Sequence, residues 1–136
     1  MNCASPNFKS VELCFRGFSL SPAQVESMIG IPAADSGTKG KPVKPDVKTI
    51  LKRSFVNFPI AFARDDRLSE MISELLKHVG GVDHICEVRD KVLPEFLEIN
   101  FILPVKGSEQ QEGGFLPSAT LAILCQLRAS LSFSFT

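Results

Sequence analysis

Asp83-His84-Ile85-Cys86 is the closest approach in this chain to a metal-ligand cluster. Read as part of a strand near 84–92, it puts His84 and Cys86 on one side, close enough to share an ion. A structural zinc site takes four ligands, and a catalytic one takes three with a position left open. His78 would join only if Gly80-Gly81 folds back, and no second pair of ligands follows. The expectation is a solvent-side histidine and a small apolar cysteine, with no metal and no cofactor. Cys14, Cys86 and Cys125 are the candidate nucleophiles. Each needs a base and an orienting group within reach, and no local motif supplies them. Cys125 falls on the apolar stripe of a predicted helix and is expected to be buried. Glu95 and Glu98 flank a strand, and Asp65-Asp66 precede a helix. Acid–base work by two carboxylates needs surroundings that separate their pKa values. Here the aspartates read as helix caps and the glutamates as a solvated strand face. No catalytic residue is assigned.

The remaining chemistry is cationic. Lys39, Lys41, Lys44, Lys48, Lys52 and Arg53 cluster in and after a Gly/Pro-rich stretch, IPAADSGTKGKPVKPDVK, that starts at Ile31. This is the longest irregular segment of the chain, and long loops in compact domains tend to be functional or mobile. A phosphate cradle needs strand, glycine loop and helix in that order, whereas this loop follows a helix and leads into a strand. Nucleic-acid binding would want aromatic stackers between the charges, and Pro42 to Leu51 contains none. What remains is a solvated loop or a dock for an acidic protein surface. Acids are in excess from Asp83 to Glu112, so the surface could belong to this domain or a second copy. The candidate ligand- or partner-binding residues are Lys39, Lys41, Lys44 and Arg53, with His84 as a further possibility.

The elements that must carry these residues are well punctuated. Val11, Leu13 and Phe15 alternate with Glu12, Cys14 and Arg16, which predicts a strand over 10–18. Ser21-Pro22-Ala23-Gln24 has the form of a capping box, with Leu20 and Val25 spaced as a hydrophobic staple. Gly30 and Pro32 end the helix, which covers 22–29. A second strand is predicted over 53–64, with Val56, Phe58, Ile60 and Phe62 on one face. Pro59 puts it at an edge or a bulge. Leu68, Met71, Ile72, Leu75, Leu76 and Val79 follow a helical stripe over 67–79, closed by Gly80-Gly81. Strands are predicted near 84–92 and 95–104, broken by Pro94. Residues 107–114 read as a polar loop and 118–129 as a helix with Leu121, Leu124, Cys125 and Arg128 on one stripe. The final SLSFSFT alternates with Leu131, Phe133 and Phe135 inward.

The expected fold is therefore α+β, in the order β-α-β-α-β-β-α-β. It is a mixed, mainly antiparallel sheet of four to five strands with three helices packed on one face. A single domain covers 10–136, and 1–9 forms an N-terminal arm. With 136 residues and an apolar share of 44%, the chain is long enough and greasy enough to bury one core. Its net charge of zero gives no long-range pull toward nucleic acid or membrane. No apolar run is long enough to span a bilayer. The start MNCASPNFKS lacks the pattern of a signal peptide, and the four cysteines show no C-x-x-C pair. These features point to the cytoplasm and to free thiols. Eleven phenylalanines with no Trp or Tyr fill volume and offer few polar handles.

The strand–helix opening, the Gly30-Ile31-Pro32-Ala33 exit, the Gly40-Lys41 turn, the SELLKHVGG ending of the second helix and the terminal strand together resemble the bacterial domain of unknown function 4279. The likeness spans about 10–136. Members often carry a Trp at the start of the second long strand, where this chain has Phe55 or Phe58. They also often carry acids after the loop glycine and in the last strand, where it has Lys41, Ser132 and Ser134. The resemblance implies an α+β fold and a bacterial setting, with no established activity and no catalytic residue to transfer. Two functions follow from the residues. One is a non-enzymatic module that binds protein through the charged loop or a half-apolar sheet face (Phe55, Ala61, Ala63 and Ile102), an immunity- or inhibitor-like domain being one version. The other is a small-anion or enzymatic module with its pocket between loop 37–53 and the sheet. An exposed edge strand would also allow a homodimer.

Overall fold

The computed structural model describes residues 9–62, 66–104 and 115–135. The elements run β1 (Lys9–Arg16), α1 (Pro22–Ile29), β2 (Asp35–Gly37), β3 (Phe55–Phe62), α2 (Leu68–His78), α3 (Val82–Val92), β4 (Phe96–Leu103), α4 (Ser118–Leu127) and β5 (Ser130–Phe135). They form one five-stranded sheet in the order β2-β3-β1-β4-β5. β1 lies in the middle, antiparallel to both β3 and β4. β2 is antiparallel to β3, and β5 runs parallel to β4. The fold is α+β with a mixed, mainly antiparallel sheet, as the patterning implies.

Two parts of the expected order are corrected. The described residues contain four helices, because 84–92 belongs to helix α3 and not to a strand. Ile85, Val88 and Val92 recur at helical spacing and are its buried residues. Asp83 in its first turn and Arg89 and Lys91 in its last suit the helix dipole. The short strand β2 also lies inside the predicted loop. The resulting order is β-α-β-β-α-α-β-α-β. The proposed arm at 1–9 falls almost wholly outside the described residues, while Lys9 already belongs to β1 and its ammonium donates to the Asp66 carbonyl at 2.9 Å.

The core lies on one side of the sheet. The register sets Leu13 between Phe58 and Ile99, and Phe15 between Val56 and Leu97. These residues, with Val11 and Phe101, join the buried residues of all four helices in one cluster. Burial of each large side chain such as Phe15, Phe58 or Phe101 contributes roughly 1.5–3 kcal/mol. The opening strand–helix unit forms as its caps require. Gln24 N–H donates to Ser21 Oγ, and the Gln24 side chain accepts from Ser21 N–H. Gly30 takes the left-handed conformation at φ 97°, where a Cβ would be strained.

α2 starts differently from expectation. Its N-cap is Arg67, which makes no side-chain capping bond, and Asp65 lies outside the described residues. Gly80 and Gly81, both at positive φ, form the joint between α2 and α3. α4 buries only Leu124 and Leu127, so Cys125 faces solvent and is exposed, contrary to the stripe that was predicted to bury it. Phe133 and Phe135 lie on the core side of the sheet but are also exposed, since β5 is an edge. The loop predicted at 107–114 lies outside the described residues. Among the described residues, no helix is long and apolar enough to cross a membrane.

Candidate functional site

The cationic segment between β2 and β3 is an ordered hairpin. Gly40 N–H donates to Leu51 O, Leu51 N–H to Lys41 O and Val43 N–H to Thr49 O, all between 2.8 and 2.9 Å. Pro42 sits opposite Ile50 between these bonds. The tip closes with Val47 N–H donating to Lys44 O across Pro45 and Asp46. Proline at the second turn position and a positive φ at the third (68° at Asp46) define a type II turn. The base is tied by Lys39 N–H, which donates to the buried Ser54 hydroxyl at 2.9 Å. Every residue from 41 to 50 is exposed. Lys39, Lys41, Lys44, Lys48, Lys52 and Arg53 thus project from one hairpin whose single acid is Asp46. Among the described residues, only Arg53 of the six forms an ion pair. Val43, Val47 and Ile50 stand exposed between the lysines.

At the base of the hairpin a groove of about 450 Å³ opens along the sheet face opposite the core, which carries no helix among the described residues. Leu51, Lys52 and Arg53 form one wall, and Arg16, Asp35, Phe55 and Asn57 form the floor. Strand pairing explains why residues so far apart in sequence meet. Arg16 pairs with Phe55 and Asp35 with Asn57, all on the side away from the core. The junction is drawn tight at Gly17, whose N–H donates to Ser54 O and whose carbonyl accepts from Glu95 N–H. That approach places Arg53 Nε 3.2 Å from Glu95 Oε2 and its guanidinium 5.2 Å above the Phe96 ring. Arg16 pairs with Glu98 at 3.1 Å. Asn57 Oδ1 is buried beneath the groove floor and has no hydrogen-bond partner among the described residues, a cost to the fold.

The face opposite the core continues beyond the groove as a polar ladder. The Ser132 hydroxyl donates to the Asn100 amide oxygen, and Asn100 Nδ2 donates to Glu12 Oε2 at 3.1 Å. Phe55 and Ile102 are half-buried on this face and Ala61 is exposed, while Ala63 lies outside the described residues. β3 is flanked by β2 and β1, so it is not the edge strand expected from Pro59, but Pro59 lies past the end of β2. β2 ends opposite Asn57, and Asn57 turns its carbonyl outward to Ala34 N–H. Residues two apart turn the same way, so the missing N–H of Pro59 falls where no strand needs it.

Lys39, Lys41, Lys44 and Arg53 lie along one hairpin, with Lys44 at its tip and Arg53 at its base against Glu95. His84 is placed elsewhere, on α3. Its Nε2–H donates to the Ile29 carbonyl at 2.9 Å, closing the C-terminus of α1, and its ring fills the space where a Cβ on Gly80 would sit. His84 and Cys86 do not share a side, since two helical residues apart is more than half a turn. Among the described residues no three His, Cys, Asp or Glu side chains gather as metal ligands. Cys86 Sγ instead lies 3.8 Å from the Gln126 carbonyl. Cys14 is buried at the centre of the sheet, and burial pushes its thiol from 9.0 to about 11, with Arg16 opposing the shift. It stays protonated at neutral pH, so it is not a nucleophile primed by a low pKa. Glu95 and Glu98 each face an arginine. Sequence reasoning missed Arg16, Asp35 and Asn57, which only the strand register brings to the groove. Compared with family models, curated proteins and solved structures, the chain matches none.

Proposed function

We propose that this chain is a non-enzymatic protein-binding module that docks an acidic polypeptide segment on the 39–53 hairpin and the groove at its base. The ordered hairpin carries the reading. It holds five lysines without ion pairs among the described residues, interleaved with exposed Val43, Val47 and Ile50. A charged surface steers an oppositely charged partner, and the apolar residues give it area to bury. The groove adds a lining of mixed charge, from Arg16, Lys52, Arg53 and Asp35, with one aromatic ring. A polypeptide supplies both donors and acceptors for such a lining. Membership of the bacterial domain of unknown function 4279, a cytoplasmic location and an inhibitor- or immunity-like role belong to the same proposal. The test is capture of a partner from the native host with the full chain and with Lys41→Glu/Lys44→Glu/Lys48→Glu. The triple variant should retain its thermal stability and lose the partner. Equal capture by both chains would overturn the reading.

A second reading rests on the groove alone, where Arg16, Lys52 and Arg53 converge. A small anion would sit there, and Lys52→Ala/Arg53→Ala would remove its stabilisation in a thermal-shift titration. No stabilisation of the parent chain by any anionic metabolite would remove this alternative.

A further inference from the structure

The two edges of the sheet are treated differently. On one side β2 has only three residues, and the stretch of β3 beyond it carries Pro59. Short strands and proline are common ways to blunt an edge. On the other side β5 runs for six residues, Ser130–Phe135, with no charge and no proline, and nothing among the described residues pairs with its outer side. Phe133 stacks on Phe101 at 5.3 Å yet remains 47% exposed, and Phe135 is 63% exposed. A long, uncharged, apolar edge is a template for another strand.

We infer that β5 pairs antiparallel with β5 of a second copy, giving a two-fold dimer with a continuous ten-stranded sheet. The sequence of the edge is self-complementary. A two-fold axis normal to the sheet keeps the helices of both copies on one face. Residues that meet across it must point to the same side. Phe133 opposite Phe133 satisfies this condition. It also sets Leu131 against Phe135 and Ser132 against Ser134, so apolar meets apolar and hydroxyl meets hydroxyl. Aromatic cross-strand pairs stabilise such a ladder, and no charge on β5 repels the second copy. The hairpin joins β2 and β3 at the far edge, so the dimer presents two free docking sites. This inference stands whether or not those sites bind an acidic partner.

The test is sedimentation of the full chain across micromolar concentrations, with two variants chosen at exposed positions. The parent should sediment at twice the 14.9 kDa chain mass. Ser134→Lys and Phe135→Glu should each weaken the dimer about tenfold or more, because each puts charge into an apolar or hydroxyl pairing, with circular dichroism unchanged. Phe133→Cys, in a chain with Cys3→Ser, Cys86→Ser and Cys125→Ser, should form an intermolecular disulfide on mild oxidation. A parent that is monomeric throughout overturns the inference. So does a dimer that survives both edge variants, or one that fails to cross-link at 133.

Discussion

Replacing Gly17 by alanine should cost far more than the same change at Gly30, although both glycines have positive φ. Gly17 has φ 80° and Gly30 has φ 97°. A side chain in the left-handed region costs about 1–2 kcal/mol at either position. At Gly30 that is the whole cost, since a Cβ there meets nothing within 4 Å. At Gly17 the new Cβ would lie 2.8 Å from Glu95 Oε1 and 2.9 Å from Glu95 Cβ. The carboxylate end can swing away, but Glu95 Cβ is fixed by its backbone, whose N–H donates to Gly17 O at 2.9 Å. Relieving that overlap adds about 1–3 kcal/mol. Loss of the exposed Arg53–Glu95 pair adds little. Gly17→Ala should therefore destabilise by about 2–5 kcal/mol and Gly30→Ala by about 1–2 kcal/mol, measured by urea denaturation with unchanged m-values. Equal losses would refute the close approach of β1, β3 and β4 at the groove.

Other consequences can be measured on the same chain. The Cys14 thiol is raised to about 11 in the fold, so its contribution is complete below pH 9.0 and disappears as pH rises toward about 11. The unfolded chain loses that proton first, and stability falls across this window by about 2–3 kcal/mol. Cys14→Ala should remove that part of the slope when denaturation curves are compared at successive pH values. His84→Ala frees the Ile29 carbonyl and should cost about 1–2 kcal/mol in chemical denaturation without changing partner capture. Phe58→Ala opens a cavity against Phe15, whose ring lies edge-on at 6.5 Å, and should cost about 3–5 kcal/mol by the same assay.

How much was legible follows the range of the interactions. β1, α1, α2 and β4 are written in local signals: alternation, a capping box, a helical stripe and glycine stops. α3 is less plain, because its helical spacing rests on three buried apolar residues, Ile85, Val88 and Val92, in a segment that is otherwise mostly polar. β2 has no apolar pattern, and its three residues are strand only because β3 lies alongside. Cys125 was misplaced because α4 buries a narrow stripe of two residues, Leu124 and Leu127. Phe133 and Phe135 alternate as inward residues should, but no local feature says that their strand lies at an edge. At the site, the lysines were visible as composition. The order of the hairpin rests on the Pro45-Asp46 turn and the Pro42–Ile50 pairing. The groove floor depends on registers that join residues about forty positions apart, such as Arg16 and Phe55, which periodicity does not encode.

Lysine footprinting of the chain with its captured partner tests the central claim most directly. Lys39, Lys41, Lys44, Lys48 and Lys52 should lose reactivity toward an acylating reagent on binding, while the exposed Lys77 and Lys91 on the helices keep theirs. Protection of the helix lysines with the hairpin left reactive would contradict the proposed docking surface.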